Sequence, residues 1–232
     1  MRPKGNEPHE NGGSVPNRPL SPALEQSVTV TAVRTLSVPD ISRASAMLAH
    51  TFEESPLFRC AFSDPGRRRR ASNAIFRAAV KDGLRFGRVF LARNPEIVGA
   101  LIAYGPGDYP LSVFRKIRQI PEYARVATAD LRGFVRIVRA QATVEKLHPS
   151  EPHLYVYFVG VARGEQRRGV GRALAKFLLS EVDADRLPIY GETQERSNVE
   201  WYKRLGSRIL REGVPMYPGG PPTWTMWRDP NV

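Results

Sequence analysis

The stretch Gln166-Arg167-Arg168-Gly169-Val170-Gly171-Arg172 decides the fold. Before it runs His153-Leu-Tyr-Val-Tyr-Phe-Val-Gly-Val161, an apolar run with strand composition. After it, Val170, Leu174, Phe177, Leu178 and Val182 recur at helical spacing, which predicts a helix over 169–185. Two glycines let backbone approach a ligand without side-chain clash. Unpaired N–H groups at a helix start favour a phosphate. Arg167, Arg168 and Arg172 add positive charge. Strand, loop and helix together read as a pyrophosphate cradle, or more simply as a basic turn that opens a helix. No Gly-Lys-Ser/Thr follows, so this is not a Walker loop. The dinucleotide fingerprint is also excluded, because its third glycine is missing and the motif comes late in the chain.

Working outward, Gly160 interrupts the strand. An in-strand glycine marks either a packing constraint or a bulge that frees the backbone of Val159 to Val161. Downstream, 188–193 reads as a short strand carrying Glu192. Residues 197–205 read as a helix that places Asn198 and Tyr202 on one face, four apart. Ser197 and Glu200 have capping-box spacing, and Gly206 is a helix stop. Tyr202 is either a core residue or a proton donor. Two further strands are expected at 207–213 and 223–228.

Upstream, residues 28–33 alternate as a strand, and Pro39-Asp40 opens a helix with Ile41, Ala44, Met47 and Leu48 on one face. Residues 56–66 read as an irregular connection, and 67–83 as a helix. Residues 89–92 and 97–103 form a hairpin around Asn94-Pro95. Residues 110–147 read as one or two helices broken near Pro121. The order gives a mixed α/β sheet with helices packed on it. One domain over 28–232 is expected, with a helical insert at 106–147. Residues 1–27, rich in Pro, Gly and Asn, are expected to be a disordered tail.

The 232 residues carry a formal net charge of +12, which turns attention to anionic partners. Of the 35 basic residues 29 are arginine, and 59–139 holds 17 basic against 6 acidic. That excess is either arginine-rich surface or a field on the substrate side. The one cysteine, Cys60, excludes an internal disulfide and a multi-cysteine zinc site; it is read as a packing residue, and no metal is expected. The longest apolar run is too short to span a membrane, and the N-terminus has no leader-like apolar core. A cytoplasmic location is expected, with no membrane partner.

Gln-x-x-Gly-x-Gly after a Val-Gly-Val strand, followed by Glu192, Asn198, Tyr202 and Leu205-Gly206, resembles the GCN5-related N-acetyltransferase (GNAT) family. Glu151-Pro152, Glu192-Thr193 and the late Pro-Pro-Thr-Trp-Thr-Met are similar, more narrowly, to its puromycin N-acetyltransferase-like branch. The resemblance implies a twisted, mostly antiparallel sheet of about seven strands, splayed between the fourth and fifth. It implies acetyl-CoA as co-substrate in that split. Val159, Gly160 and Val161 would meet its pantetheine arm. Gln166, Arg167, Arg168, Gly169, Val170, Gly171 and Arg172 would hold its pyrophosphate, and Asn198 would contact it near the pantetheine end. Tyr202 would protonate the departing thiolate. Glu192 would take the proton of a primary amine on a small molecule, or alternatively orient that substrate or form an ion pair. The insert would shape the acceptor pocket, its positive charge disfavouring a polycation.

The activity implied is acetyl transfer by direct attack in a ternary complex. The donor could also be a longer acyl group. Other readings are a catalytically silent CoA-binding sensor or partner module and, less favoured, a nucleic-acid-binding protein acting through Arg67–Arg70. Monomer and homodimer are both open.

Overall fold

The computed structural model describes residues 28–183 and 186–230. The expected tail over 1–27, and the end of the helix expected to reach residue 185, lie outside the described residues. Seven strands form one sheet: β1 (Thr29–Val33), β2 (Arg88–Asn94), β3 (Glu96–Tyr104), β4 (Leu154–Val161), β5 (Ile189–Thr193), β6 (Arg208–Pro215) and β7 (Pro222–Arg228). Their order across the sheet is β1-β2-β3-β4-β5-β7-β6. All neighbours are antiparallel except β4 and β5. The mixed α/β sheet inferred from the sequence is therefore present.

Among the described residues eight α-helices accompany it, the first seven being α1 (Val38–Phe52), α2 (Pro56–Ala61), α3 (Pro65–Phe86), α4 (Val113–Arg118), α5 (Ile120–Ala129), α6 (Leu131–Leu147) and α7 (Val170–Asp183). An eighth, α8 (Arg196–Arg204), follows β5. The stretch 56–66, expected to be irregular, contains α2; Pro56 at its first turn is compatible with a helix start. The insert holds three helices rather than one or two. Pro121 opens α5, and Asp130, accepting from Gly133 N–H at 2.8 Å, caps α6 and makes the second break. The expected capping box of Ser197 and Glu200 does not form. The helix is capped by Glu195 without a side-chain bond, so Ser197 lies inside its first turn.

Each face of the sheet has its own core. On one side α1 and α3 bury Leu48, Phe76 and Val80 against Leu91, Ala100 and Ile102. On the other, α7 buries Val170, Leu174, Leu178 and Val182 against Phe90, Leu101 and Leu154. Glycines permit the closest approaches. A Cβ at Gly99 would stand 2.9 Å from Val170 Cγ1, and one at Gly160 would stand 2.7 Å from Leu48 Cδ2. Gly160 is thus in regular register with Ala100, and its missing side chain seats α1. The bulge falls elsewhere: Ile102 faces Phe158 but Ala103 faces Val156, leaving Tyr157 as the extra residue.

The insert is moored from inside. Arg115 of α4, 6% exposed, bonds both oxygens of Asp82 in α3, and Tyr104 OH donates to Asp82 Oδ2 at 2.7 Å. The guanidinium lies 4.8 Å from the ring centres of both Phe86 and Tyr104. Gly133 of α6 lies so close to Phe62 that any side chain there would collide with its ring.

Candidate active site

β4 and β5 pair only through Leu154–Ile189, Tyr155–Tyr190 and Val156–Gly191. Beyond Val156 the strands part, and the rest of β4 has no neighbour on that side. Which backbone groups face the gap follows from one bond. Ala162 N–H donates to Val98 O at 2.8 Å, toward β3. With a period of two, Val159 and Val161 turn their N–H and C=O groups toward the split. Val161 O there accepts from Thr51 Oγ1 and from Gln166 Nε2, both at 3.2 Å.

Past β4 the chain makes a one-turn 3₁₀ helix and a sharp loop into α7. Arg167 and Gly169 both have positive φ, 63° and 89°. Left-handed residues next to a helix start aim successive N–H groups into one concavity, the geometry of an anion nest. Arg167, Arg168 and Arg172 are exposed there, and Arg168 pairs with Glu165 at 3.0 Å. Val170 contributes differently: its side chain is 1% exposed in the core, so only its backbone serves the loop. Gly171 is not sterically forced, since a Cβ would lie 3.6 Å from Val161 Cγ2.

At the other end of the split lies a cleft enclosing about 1020 Å³, counting its open mouth. Val159, Glu192, Asn198 and Tyr202 line it together. A smaller cavity of about 440 Å³ lies between α7 and α8, and it too is lined by Val156, Val159 and Tyr202. Tyr202 thus stands where the two spaces adjoin. Asn198 is exposed, its Nδ2 donating to Thr193 Oγ1 at 3.3 Å. Tyr202 is half-buried beside the Val199, Trp224 and Met226 cluster, so its packing does not keep it from the cleft. Burial, with Glu192 and Glu195 nearby, pushes its hydroxyl up to about 12.

Glu192 receives the Tyr155 hydroxyl on Oε2 at 2.9 Å, while its buried Oε1 has no protein partner among the described residues. Burial pushes this carboxyl up to about 7, against the opposing pull of the Tyr155 and Tyr190 hydroxyls. A carboxyl so placed can exchange a proton near neutral pH.

The walls are apolar. Phe52 and Phe58 come from α1 and α2, Phe158 from β4, and Tyr123, Ile137 and Val144 from the insert. The insert does shape the cleft, but through uncharged side chains. Among lining residues only Glu192 and Glu195 are charged, so the basic excess does not reach the cleft. It is spent elsewhere. Arg68, 7% exposed, bonds Phe62 O and Glu54, each at 3.0 Å. Arg69, Arg70, Arg77 and Arg125 line a separate groove around Glu122. Cys60, read as a packing residue, is exposed.

Sequence reasoning missed Tyr155, Tyr109 and the aromatic wall from α1 and α2. Among the described residues no group of three or more His, Cys, Asp or Glu could hold a metal, and no helix is long and apolar enough to cross a membrane.

The profile of the Acetyltransferase (GNAT) family matches residues 53–206. Among solved structures, a histone acetyltransferase HPA2 and related acetyltransferase from Corynebacterium glutamicum is 22% identical with a TM-score of 0.66, covering 89% of this chain and 98% of that one. A polyamine N-acetyltransferase of Drosophila melanogaster is 18% identical with a TM-score of 0.51, covering 87% and 100%. The NatC complex bound to Gag peptide and CoA matches with 7% identity and a TM-score of 0.51, covering 88% and 99%. These likenesses establish a shared fold.

Proposed function

The chain belongs to the GNAT acetyltransferase family, and from that premise we propose that it transfers an acetyl group from acetyl-CoA to the primary amine of an apolar small molecule. The observation that carries this reading is the meeting of Val159, Glu192, Asn198 and Tyr202 in one cleft at the strand split. The residues fit the co-substrate. The left-handed turn at Arg167 and Gly169, with the N–H groups leading into α7, suits a pyrophosphate. The edge of Val159 and Val161, which no strand covers, suits the amide groups of a pantetheine arm, with Asn198 near its end. Gln166 can swing from Val161 O, and the adjacent Gly160 leaves no side chain on the face toward α1.

Acetyl-CoA supplies the acyl group as a thioester; the chain's residues handle the protons. Glu192 takes one proton from the amine as nitrogen bonds to the carbonyl carbon. Tyr202 gives one to the sulfur as the carbon–sulfur bond breaks. A backbone N–H near Val159 can polarise the carbonyl oxygen. Attack is direct, because amine and thioester approach Tyr202 from its two sides. The apolar walls and the two carboxylates favour a hydrophobic monoamine, and the absence of Lys and Arg from the lining removes the electrostatic reason to disfavour a polycation. A single domain over 28–232, acting as a monomer or homodimer in the cytoplasm, accompanies this reading.

The test is thiol release from acetyl-CoA across a panel of alkyl, arylalkyl and polyamine acceptors, alongside a thermal shift with CoA. Release with apolar monoamines supports the reading. A clear thermal shift with no transfer to any amine would instead favour a silent CoA-binding module. No shift and no release would sink both.

A further inference from the structure

As the proposed base, Glu192 must lose its captured proton once per turnover, and the cleft that it faces is walled by apolar side chains. The surroundings of Glu192 on the opposite side are polar. Four buried polar atoms there have no protein partner among the described residues: Glu192 Oε1, Tyr109 OH, His148 Nδ1 and His153 Nε2. Buried polar groups are ordinarily satisfied, so four orphans in one contact cluster call for a functional account. The rings are contiguous. Tyr109 lies 4.6 Å from Tyr155 and 4.9 Å from His148, and His148 lies 4.6 Å from His153, centre to centre. A second opening on the surface, lined by Tyr109, His148, His153, Glu145 and Glu151, begins where this cluster ends.

We propose that Tyr109 and His148 form a proton exit from Glu192 to this second opening, with Tyr155 and His153 as positioning residues. The proposal rests on Glu192 being the base. Tyr155 donates to Oε2 at 2.9 Å, which leaves Oε1 to carry the captured proton. A hydroxyl and a neutral imidazole each hold one donor and one acceptor. A proton can therefore enter Tyr109 or His148 on one side while a different proton leaves on the other, and neither group needs a net charge. A buried water between orphaned atoms can complete the chain, since such sites are polar on several sides. His153 Nδ1 lies 2.6 Å from Glu151 O, which places its proton on Nδ1 and makes Nε2 an acceptor. The path runs from Glu192 Oε1 to the opening beside Glu145.

The experiment uses the full chain with acetyl-CoA and its best amine. Tyr109→Phe removes one hydroxyl, and His148→Phe keeps a ring while removing both nitrogens. Each is expected to lower kcat about 10-fold or more, with KM for both substrates unchanged and a larger solvent deuterium isotope effect. In His148→Ala, added imidazole is expected to restore turnover in a concentration-dependent way. If both Phe variants keep the wild-type kcat and isotope effect, the exit path is wrong. Glu192→Gln separates the two ideas. Retained turnover in that variant overturns the base assignment itself. A silent Glu192→Gln beside normal Tyr109→Phe and His148→Phe overturns only the path. A melting temperature near wild type qualifies each variant, and Tyr109→Phe, which leaves the ring stack intact, keeps the test decisive if His148→Phe is unstable.

Discussion

Tyr155 on β4 donates its hydroxyl to Glu192 on β5 at 2.9 Å, so the two strands that part to open the cleft share a phenol–carboxylate pair just where they last touch. The pair fixes the carboxylate without neutralising it, and burial leaves Glu192 titrating near 7.

That titration has a kinetic signature. With Glu192 as base, kcat/KM should rise with pH through a limb near 7, followed by a second limb at the acceptor's own amine. Glu192→Gln should erase the first limb and leave the second. A pH–rate profile of both proteins with one amine settles it, and a surviving limb near 7 in Glu192→Gln would reassign it.

The same carboxyl affects stability. Its ordinary value is 4.5 and its folded value about 7, so between those pH values the folded protein holds a proton that the unfolded chain releases. Its contribution is fully present below 4.5 and is lost as pH rises through 7. The loss is on the order of 3 kcal/mol. Urea unfolding at pH 4.5 and pH 8 should therefore differ less in Glu192→Gln than in wild type.

Tyr202→Phe should lose about 10²–10⁴-fold in kcat while folding normally, because the hydroxyl is the only group removed. The thermal shift with CoA should match wild type. Unchanged turnover would remove Tyr202 from the chemistry.

Two glycines make opposite predictions. Gly160→Ala puts a Cβ 2.7 Å from Leu48 Cδ2 and 3.1 Å from Phe52 Cε2, and should cost about 1–3 kcal/mol. Gly171→Ala meets nothing nearer than 3.6 Å and sits in the first turn of α7, so stability should hold or rise by up to about 1 kcal/mol. Melting curves of the pair provide the check.

Arg115→Met leaves Asp82 buried without its cation and should cost about 3–5 kcal/mol. Adding Asp82→Asn should recover part of the loss, since the unpaired charge goes with it. Chemical unfolding of the two single variants and the double variant measures the coupling. Additive losses would mean that the insert is held by something else.

The motif around Gly169 and the helical pairing of Asn198 with Tyr202 were legible because each is local: a strand–loop–helix pattern and a four-residue spacing. The Tyr155–Glu192 pair was not, because it depends on which residue of β4 stands beside which residue of β5. No local pattern states that register. Length hid α2, a six-residue helix too short to show a period. The capping box misled because Ser197 and Glu200 have the right spacing but the wrong start; Thr193 Oγ1 already accepts from Glu195 N–H at 3.2 Å and turns the chain earlier. Gly160 was correctly noticed, but its cause is the seating of α1 rather than a bulge. Charge misled most. The arginines of 59–139 fall in one segment of the sequence, yet the fold places Arg68 and Arg115 inside and turns Arg69, Arg70, Arg77 and Arg125 toward a separate groove.

Three residue pairs join β1–β4 to β5–β7, so the backbone seam of the sheet coincides with its reaction cleft. A ligand lying along Val159 and Val161, as proposed, would take the place of a missing strand and bridge two half-sheets that otherwise pair only at one end. Loading would then stiffen the sheet along that seam, and the scaffold and its cargo would share the work of closing it.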